Sequence, residues 1–91
     1  MNVIDRMQQR LGSLQPLSVQ IGDDSAFHAG HAGARSGGGH YNLHIVSAAF
    51  AGKNTVARHR MIYAALDDMM KGEIHALAIR AQTAEEAGLS T

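Results

Sequence analysis

Histidine is the residue type here with the most varied chemistry, and six histidines occur in a chain without cysteine. His28, His31 and His40 lie in one glycine-rich stretch, and His75 is near the start of a later apolar run, residues 74–79. Imidazole is the commonest metal-ligating side chain in proteins. Because the chain has no thiolate, a soft metal centre would need sulfur ligands from a partner.

The spacing of the histidines limits which of them can bind together. His40 and His44 point to the same face of a predicted strand, but four residues at about 3.3 Å each place them roughly 13 Å apart. One metal cannot bind both, so His44 is interpreted as a surface or packed strand residue. His59 falls near the apolar stripe of a helix and suits a structural role. From the residues alone, His75 is better explained as a hydrogen-bonded residue at a strand border, sharing a face with Leu77 and Ile79.

A second group of residues offers positive charge at the start of a predicted helix. Lys53, Asn54, Arg58 and Arg60 follow the turn at Gly52, in a region that suggests a helix-turn-helix or a backbone clamp for nucleic acid. A solvated helix end is the plainer explanation. Eight basic and eight acidic residues cancel over the whole chain. Few phosphate contacts are therefore expected, and any DNA binding would be weak and strongly salt-sensitive.

No arrangement of residues indicates an enzyme. The paired acids Asp23-Asp24 and Glu85-Glu86 lie at loop or helix starts and are expected to face solvent. Neither pair is placed opposite a nucleophile in an apolar cleft. We therefore predict a protein without catalytic residues and without a small-molecule substrate.

The length of 91 residues predicts one domain over residues 1–91, with its core at about 3–86 and a loose C-terminal tail. The first ten residues contain an acid and no apolar core, unlike a signal peptide, and no apolar run is long enough to cross a bilayer. Without cysteine there is no disulfide framework. A cytoplasmic location without membrane contact is the expectation.

Periodicity predicts helices and strands around one long loop. Apolar residues recur at helical spacing in two segments, the second with a stripe that includes Val56, Ile62 and Leu66. Glycine and alanine dominate the loop, which we expect to be exposed and flexible. The predicted elements are a helix over 3–14, strands near 17–21, 41–45 and 74–81, a flexible loop over about 26–39, a short turn at 47–50, a helix from Thr55 to Lys71 and a last short helix from Thr83.

Three phrases resemble the BolA family closely. They are Phe50-x-Gly52, Arg58-His-Arg60 and Ile74-His-Ala-Leu77, in this order, and Thr83-Ala-Glu-Glu86 follows them. The resemblance covers residues from about 3 to 86. It implies an α+β domain of the class II KH-like type, with the order α-β-β-α-α-β-α and a three-stranded sheet backed by helices. It also implies a non-enzymatic protein.

The resemblance further implies residue roles and partners. His75 aligns with the C-terminal histidine that ligates a [2Fe-2S] cluster shared with a monothiol glutaredoxin and glutathione. His31 lies nine residues before His40, at the family's loop-ligand spacing, while an added His-Ala-Gly unit makes His28 an alternative and His40 remains a weaker candidate. The family usually has Gly-x-Thr-His where this chain has Gly37-Gly-Gly-His40.

Two functions of different class follow. The first is an iron–sulfur adaptor for trafficking or for iron and redox regulation, which the histidines favour. The alternative is a DNA-binding transcriptional regulator that uses the surface around Lys53–Arg60. The two are not exclusive.

Overall fold

The central strand follows directly from a strict alternation of apolar residues. Tyr41, Leu43 and Ile45 are all buried, while Asn42 between them is exposed. In an extended chain, successive side chains point to opposite faces, so this alternation gives one core-facing side and one outer side. Buried residues of both helices pack together with this core-facing side.

The computed structural model describes residues 2–24 and 39–89. Within them, β1 is antiparallel to β2 and β2 is parallel to β3, so that the sheet has the order β1-β2-β3. Two α-helices and three strands confirm the predicted α+β class. The elements are α1 (Val3–Leu11), β1 (Ser18–Asp23), β2 (Gly39–Val46), α2 (Thr55–Leu66) and β3 (Ile74–Gln82).

The first helix is shorter than the predicted 3–14. Asn2 is its N-cap, since the Asn2 side chain accepts a hydrogen bond of 2.9 Å from the backbone N–H of Asp5. The chain tightens into a 3-10 turn at Gly12–Leu14, and Gln15 then adopts a left-handed conformation with φ +50°. Met7 and Leu11, four residues apart, place the apolar face of α1 in the core.

The second helix ends earlier than the predicted Lys71. Its start is as expected, with the Asn54 side chain capping the N–H of Ala57 at 2.8 Å. At Asp67 the backbone turns to φ +50°, which the α-helix cannot accommodate, and a 3-10 segment continues over Asp67–Lys71. Ile62 and Leu66 are buried as predicted, but Val56 is 58% exposed and lies outside the core.

Two predicted helical segments are single turns. Ala48–Phe50 forms one 3-10 turn after β2, which buries the Phe50 ring. After β3, Thr83 and Glu86 cap each other, because the Glu86 N–H donates to the Thr83 hydroxyl and the Thr83 N–H donates to the Glu86 carboxylate. Gly88, at φ +74°, then ends the segment before a full helix forms.

The predicted loop of about 26–39 lies outside the described residues except for Gly39, which begins β2. His28 and His31 therefore lie outside them as well. Buried apolar residues of α1, α2, β2 and β3 form one cluster beneath the sheet, and the partly buried Val19 and Ile21 of β1 pack against it.

Candidate functional site

His40 and His75 meet at one end of the sheet. Since β2 and β3 are parallel, their first residues lie at the same edge, and each strand begins with one of these histidines in its first two positions. The centres of the two imidazole rings are 5.2 Å apart, with the ring planes tilted by 37°. Residues far apart in the sequence therefore form one pair of imidazoles.

A β-bulge in β3 brings His75 next to His40. The register pairs Gly39 with Ile74 and then His40 with Ala76, so β3 has one extra residue, His75, at this point. Ile74 before the bulge is buried, whereas His75 is exposed. The prediction that His75 shares a face with Leu77 and Ile79 is wrong, because the extra residue breaks the alternation of side chains.

Gly39 makes room for the ring of Tyr41. A Cβ atom at position 39 would lie 2.6 Å from atoms of the Tyr41 ring, which is closer than side chains can approach. The Gly39 N–H donates a 2.9 Å hydrogen bond to the carbonyl of Glu73, and the Glu73 carboxylate pairs with Arg6 of α1. The first helix therefore anchors the end of the sheet where the two histidines lie.

Tyr41 fills the space below this end of the sheet. Burial raises the pKa of the Tyr41 hydroxyl, and the charge of Asp23 raises it further. The phenol therefore stays neutral at ordinary pH. Its role here is to pack under Gly39 rather than to supply an anionic ligand.

The separation of the two imidazole rings permits a shared metal atom. With metal–nitrogen bonds of about 2 Å, rings whose centres are 5.2 Å apart can both face the same metal. Within residues 2–24 and 39–89, no third histidine, aspartate or glutamate completes a metal-binding group. The pair alone therefore offers at most two ligands, and a complete metal site would need further ligands from the loop or from a partner.

The other two described histidines have different neighbours. His44 lies on the outer side of the sheet like His40, but its ring nitrogen Nε2 is 2.7 Å from the Gln82 side-chain oxygen. His59 is partly exposed and packs edge-on against the ring of Tyr63, with 6.3 Å between ring centres. Both arrangements agree with the packed or structural roles expected for these residues.

The basic group at the start of α2 is divided by the fold. Arg58 is held inside the molecule, with its side chain only 12% exposed. Its guanidinium donates to both carboxylate oxygens of Glu86, to the carbonyl of Ala81 and to the carbonyl of Lys53. Asn54 is exposed but serves as the helix cap, so Lys53 and Arg60 are the two exposed cations of the group.

The Arg58–Glu86 pair dominates the electrostatics of this region. Hydrogen bonds from Arg58 and from the N–H of Thr83 lower the pKa of the Glu86 carboxyl to about 2, and the same pairing raises the pKa of Arg58. Glu85 and Glu86 are both exposed, as predicted, but Glu86 has a structural role as well. The signal for this role is the Thr83-x-x-Glu86 capping pattern, which places the carboxylate at the end of β3.

Comparison with known proteins gives the family. Residues 11–86 match the family described as BolA-like protein. The chain is 45% identical over 87 residues to SufE-like protein 1, chloroplastic/mitochondrial, from Arabidopsis thaliana, spanning 89% of this chain and 24% of that protein. It is 33% identical to the DNA-binding transcriptional regulator BolA of Escherichia coli strain K12, spanning 94% of this chain and 80% of that protein.

A solved structure agrees with this assignment. BolA1 from Arabidopsis thaliana superposes with a TM-score of 0.79 at 36% identity, covering 94% of this chain and 96% of that one. In the curated sequence of the chloroplastic BOLA1 protein of that plant, the chain spans just over half the length, 56%. In the part of this chain that the structure describes, no helix is long and apolar enough to cross a membrane. The chain belongs to the BolA family.

Proposed function

We propose that this chain is a non-enzymatic adaptor that shares a [2Fe-2S] cluster with a monothiol glutaredoxin. The observation that supports it is the His40–His75 pair, with ring centres 5.2 Å apart. A [2Fe-2S] cluster takes four ligands, and sites are known in which two histidines replace two cysteines on one iron. A glutaredoxin cysteine and the thiol of glutathione would complete the set.

The donor types also suit this division of ligands. The chain has six histidines and no cysteine, so it can supply imidazole ligands, while thiolate ligands must come from a partner. His75 is the first ligand in this proposal and His40 the second, with His31 and His28 as alternatives for the second position. When bound, the cluster supplies a redox-active and transferable iron–sulfur unit, and the role of the chain is to hold and orient its two imidazoles. The cytoplasm remains the predicted location.

The test is an anaerobic reconstitution of the full chain with a monothiol glutaredoxin, glutathione, iron and inorganic sulfide. We expect a heterocomplex whose visible absorption and circular dichroism differ from those of the glutaredoxin homodimer, because nitrogen replaces sulfur at one iron. Size-exclusion chromatography would show both proteins in one peak. A spectrum identical to that of the homodimer, with this chain eluting separately, would contradict the proposal.

A second candidate is DNA binding for transcriptional control. The bacterial relative named a DNA-binding transcriptional regulator supports it, as do the exposed side chains of Lys53 and Arg60 at the start of α2. We expect the separate variants Lys53→Glu and Arg60→Glu to weaken binding and to reduce the salt slope by about one unit for each lost phosphate contact.

The matched control for these variants is Lys71→Glu. Lys71 is also exposed, but it lies beyond the other end of α2. Fluorescence anisotropy over a salt series measures the affinity and slope of each variant. Equal losses in all three would show that net charge, and not this surface, determines the affinity.

A further inference from the structure

The strand β3 has an edge that is not paired within the described residues. It is the last strand in the sheet order β1-β2-β3, and with nine residues it is the longest of the three. Protein sheets commonly protect such edges with short strands, proline or several charges. After its initial bulge, β3 has no proline and only one charged residue, Arg80.

The backbone groups on this edge can be identified. The Gln82 carbonyl accepts from the Ser47 N–H next to β2, whereas the Ala81 carbonyl accepts from the Arg58 side chain. Since backbone groups alternate along a strand, Leu77 and Ile79 direct their N–H and C=O groups to the same side as Ala81. No hydrogen bond from the described residues reaches these four groups. The edge thus offers two donors and two acceptors.

There is space beside this edge. A groove of about 390 Å³ runs between the start of α2 and the end of β3, bordered by Thr55 and His59 on the helix and by Ile79 and Ala81 on the strand. On the same helix, Val56 and Tyr63 are 58% and 41% exposed. An added strand would therefore have room along β3, in a groove whose walls also include Arg58 and Glu86.

We propose that β3 pairs with β3 of a second copy of this chain, antiparallel about a two-fold axis at Ala78. In this register Leu77 lies opposite Ile79 of the copy, and the two residues exchange both N–H···O bonds. The symmetry repeats the exchange, so the N–H and C=O groups of Leu77 and Ile79 in each strand all take part in hydrogen bonds. The ladder ends at Ala81, whose carbonyl is already bonded to Arg58.

The side chains are also self-complementary in this register. Ala78 meets Ala78 on the outer side of the sheet, where both are small and exposed. Arg80 lies opposite Ala76 of the copy, so no like charges face each other, which would destabilise a pair of strands. The net charge of zero adds no long-range repulsion between copies. The result is a continuous six-stranded sheet with both copies of α2 on one face.

The other edge of the sheet is less suited to this pairing. β1 has six residues and ends at Asp23, which is followed by Asp24. A symmetric pair of β1 strands would therefore form a shorter ladder than a pair of β3 strands. We therefore assign the self-association to β3 and not to β1.

The test uses charges at the two-fold axis. Light scattering coupled to size-exclusion chromatography gives the mass of the full chain as its concentration rises into the high-micromolar range. We expect the wild type to move from 9.7 kDa towards twice that value. The variants Ala78→Lys and Ala78→Glu, each alone, should shift the monomer–dimer midpoint several-fold upward, and their equimolar mixture should restore dimers.

Gln20→Lys is the matched control, because Gln20 is exposed on the same outer face but belongs to β1. It should dimerise like the wild type. Amide exchange at Leu77 and Ile79 should also slow as the concentration rises. A wild type that stays monomeric, equal dimerisation of the wild type and Ala78→Lys, or a loss confined to Gln20→Lys would each overturn the proposal.

Discussion

The two ends of β3 organise their polar residues in opposite ways. At its start, His75 and His40 lie ring against ring, and His75 is exposed. At its end, the charge of Arg58 is matched by Glu86 and by backbone carbonyls. The first end places two imidazoles next to each other, whereas the second uses its most strongly hydrogen-bonded cation to hold the fold together. Of the two arginines in one basic motif, Arg58 is therefore structural and Arg60 is at the surface. His40 and His75, which are far apart in the sequence, lie next to each other in the fold.

A substitution at Gly39 should disturb the start of β3, where His40 and His75 lie, more strongly than the other changes considered. We expect Gly39→Ala to lower the free energy of unfolding by about 1–3 kcal/mol, because the new Cβ would overlap the buried Tyr41 ring. It should also displace His40, the next residue. Urea denaturation measures the stability.

Gly12→Ala is the control for this change. Gly12 has φ −57°, and no atom lies within 4 Å of the position that an alanine Cβ would take, so alanine fits there without strain. The substitution should be neutral or stabilising by about 0.4–1 kcal/mol. Equal stability of the two alanine variants would show that the contact between Gly39 and Tyr41 does not restrict residue 39.

The contribution of the Arg58–Glu86 pair at the end of β3 is tested by comparing variants of Arg58 and Arg60. Arg58→Ala removes both hydrogen bonds from the guanidinium to Glu86 and leaves the Ala81 carbonyl without its donor. Arg60→Ala removes an exposed side chain and should change the stability by no more than about 0.5 kcal/mol. We expect a clearly lower melting temperature for Arg58→Ala only. Similar melting temperatures for the two variants would show that the Arg58–Glu86 pair contributes little to stability.

The Arg58–Glu86 pair also predicts a dependence of stability on pH. The pKa of Glu86 is about 2 in the folded chain and 4.5 ordinarily, so below pH 4.5 the unfolded chain binds the proton more readily. The stabilisation is therefore complete above pH 4.5 and is lost as the pH falls towards 2. Thermal unfolding between pH 6 and 2 should show a smaller decline for Glu86→Gln. Parallel curves would exclude this contribution.

Local sequence patterns are sufficient for most of the fold. The alternation of Tyr41, Leu43 and Ile45 predicts β2, and the capping residues Asn2 and Asn54 mark both helix starts. The end of α2 is not predictable from periodicity, because Met69 continues the apolar pattern and is buried after the backbone has already turned at Asp67.

The site is predictable only in part, for a related reason. The sequence singles out His75, but the neighbour of this residue depends on a bulge that shifts the register by one residue, and no local pattern specifies that shift. Likewise, the sequence predicts that Arg58 and Arg60 are both surface cations. The internal position of Arg58 results from Glu86, which approaches only when β3 and the following turn have folded.

The central claim is that His40 and His75 together ligate the shared cluster. The most direct measurement compares visible circular dichroism after reconstitution with glutaredoxin for His75→Ala, His40→Ala, His31→Ala and the control His44→Ala. We expect His75→Ala to abolish the mixed-ligand signal, His40→Ala to reduce it more than His31→Ala does, and His44→Ala to retain it. In the His31→Ala background, added His28→Ala tests the alternative loop ligand. Retention of the wild-type signal in His75→Ala, or an unchanged signal in His40→Ala with loss in His31→Ala, would contradict the claim.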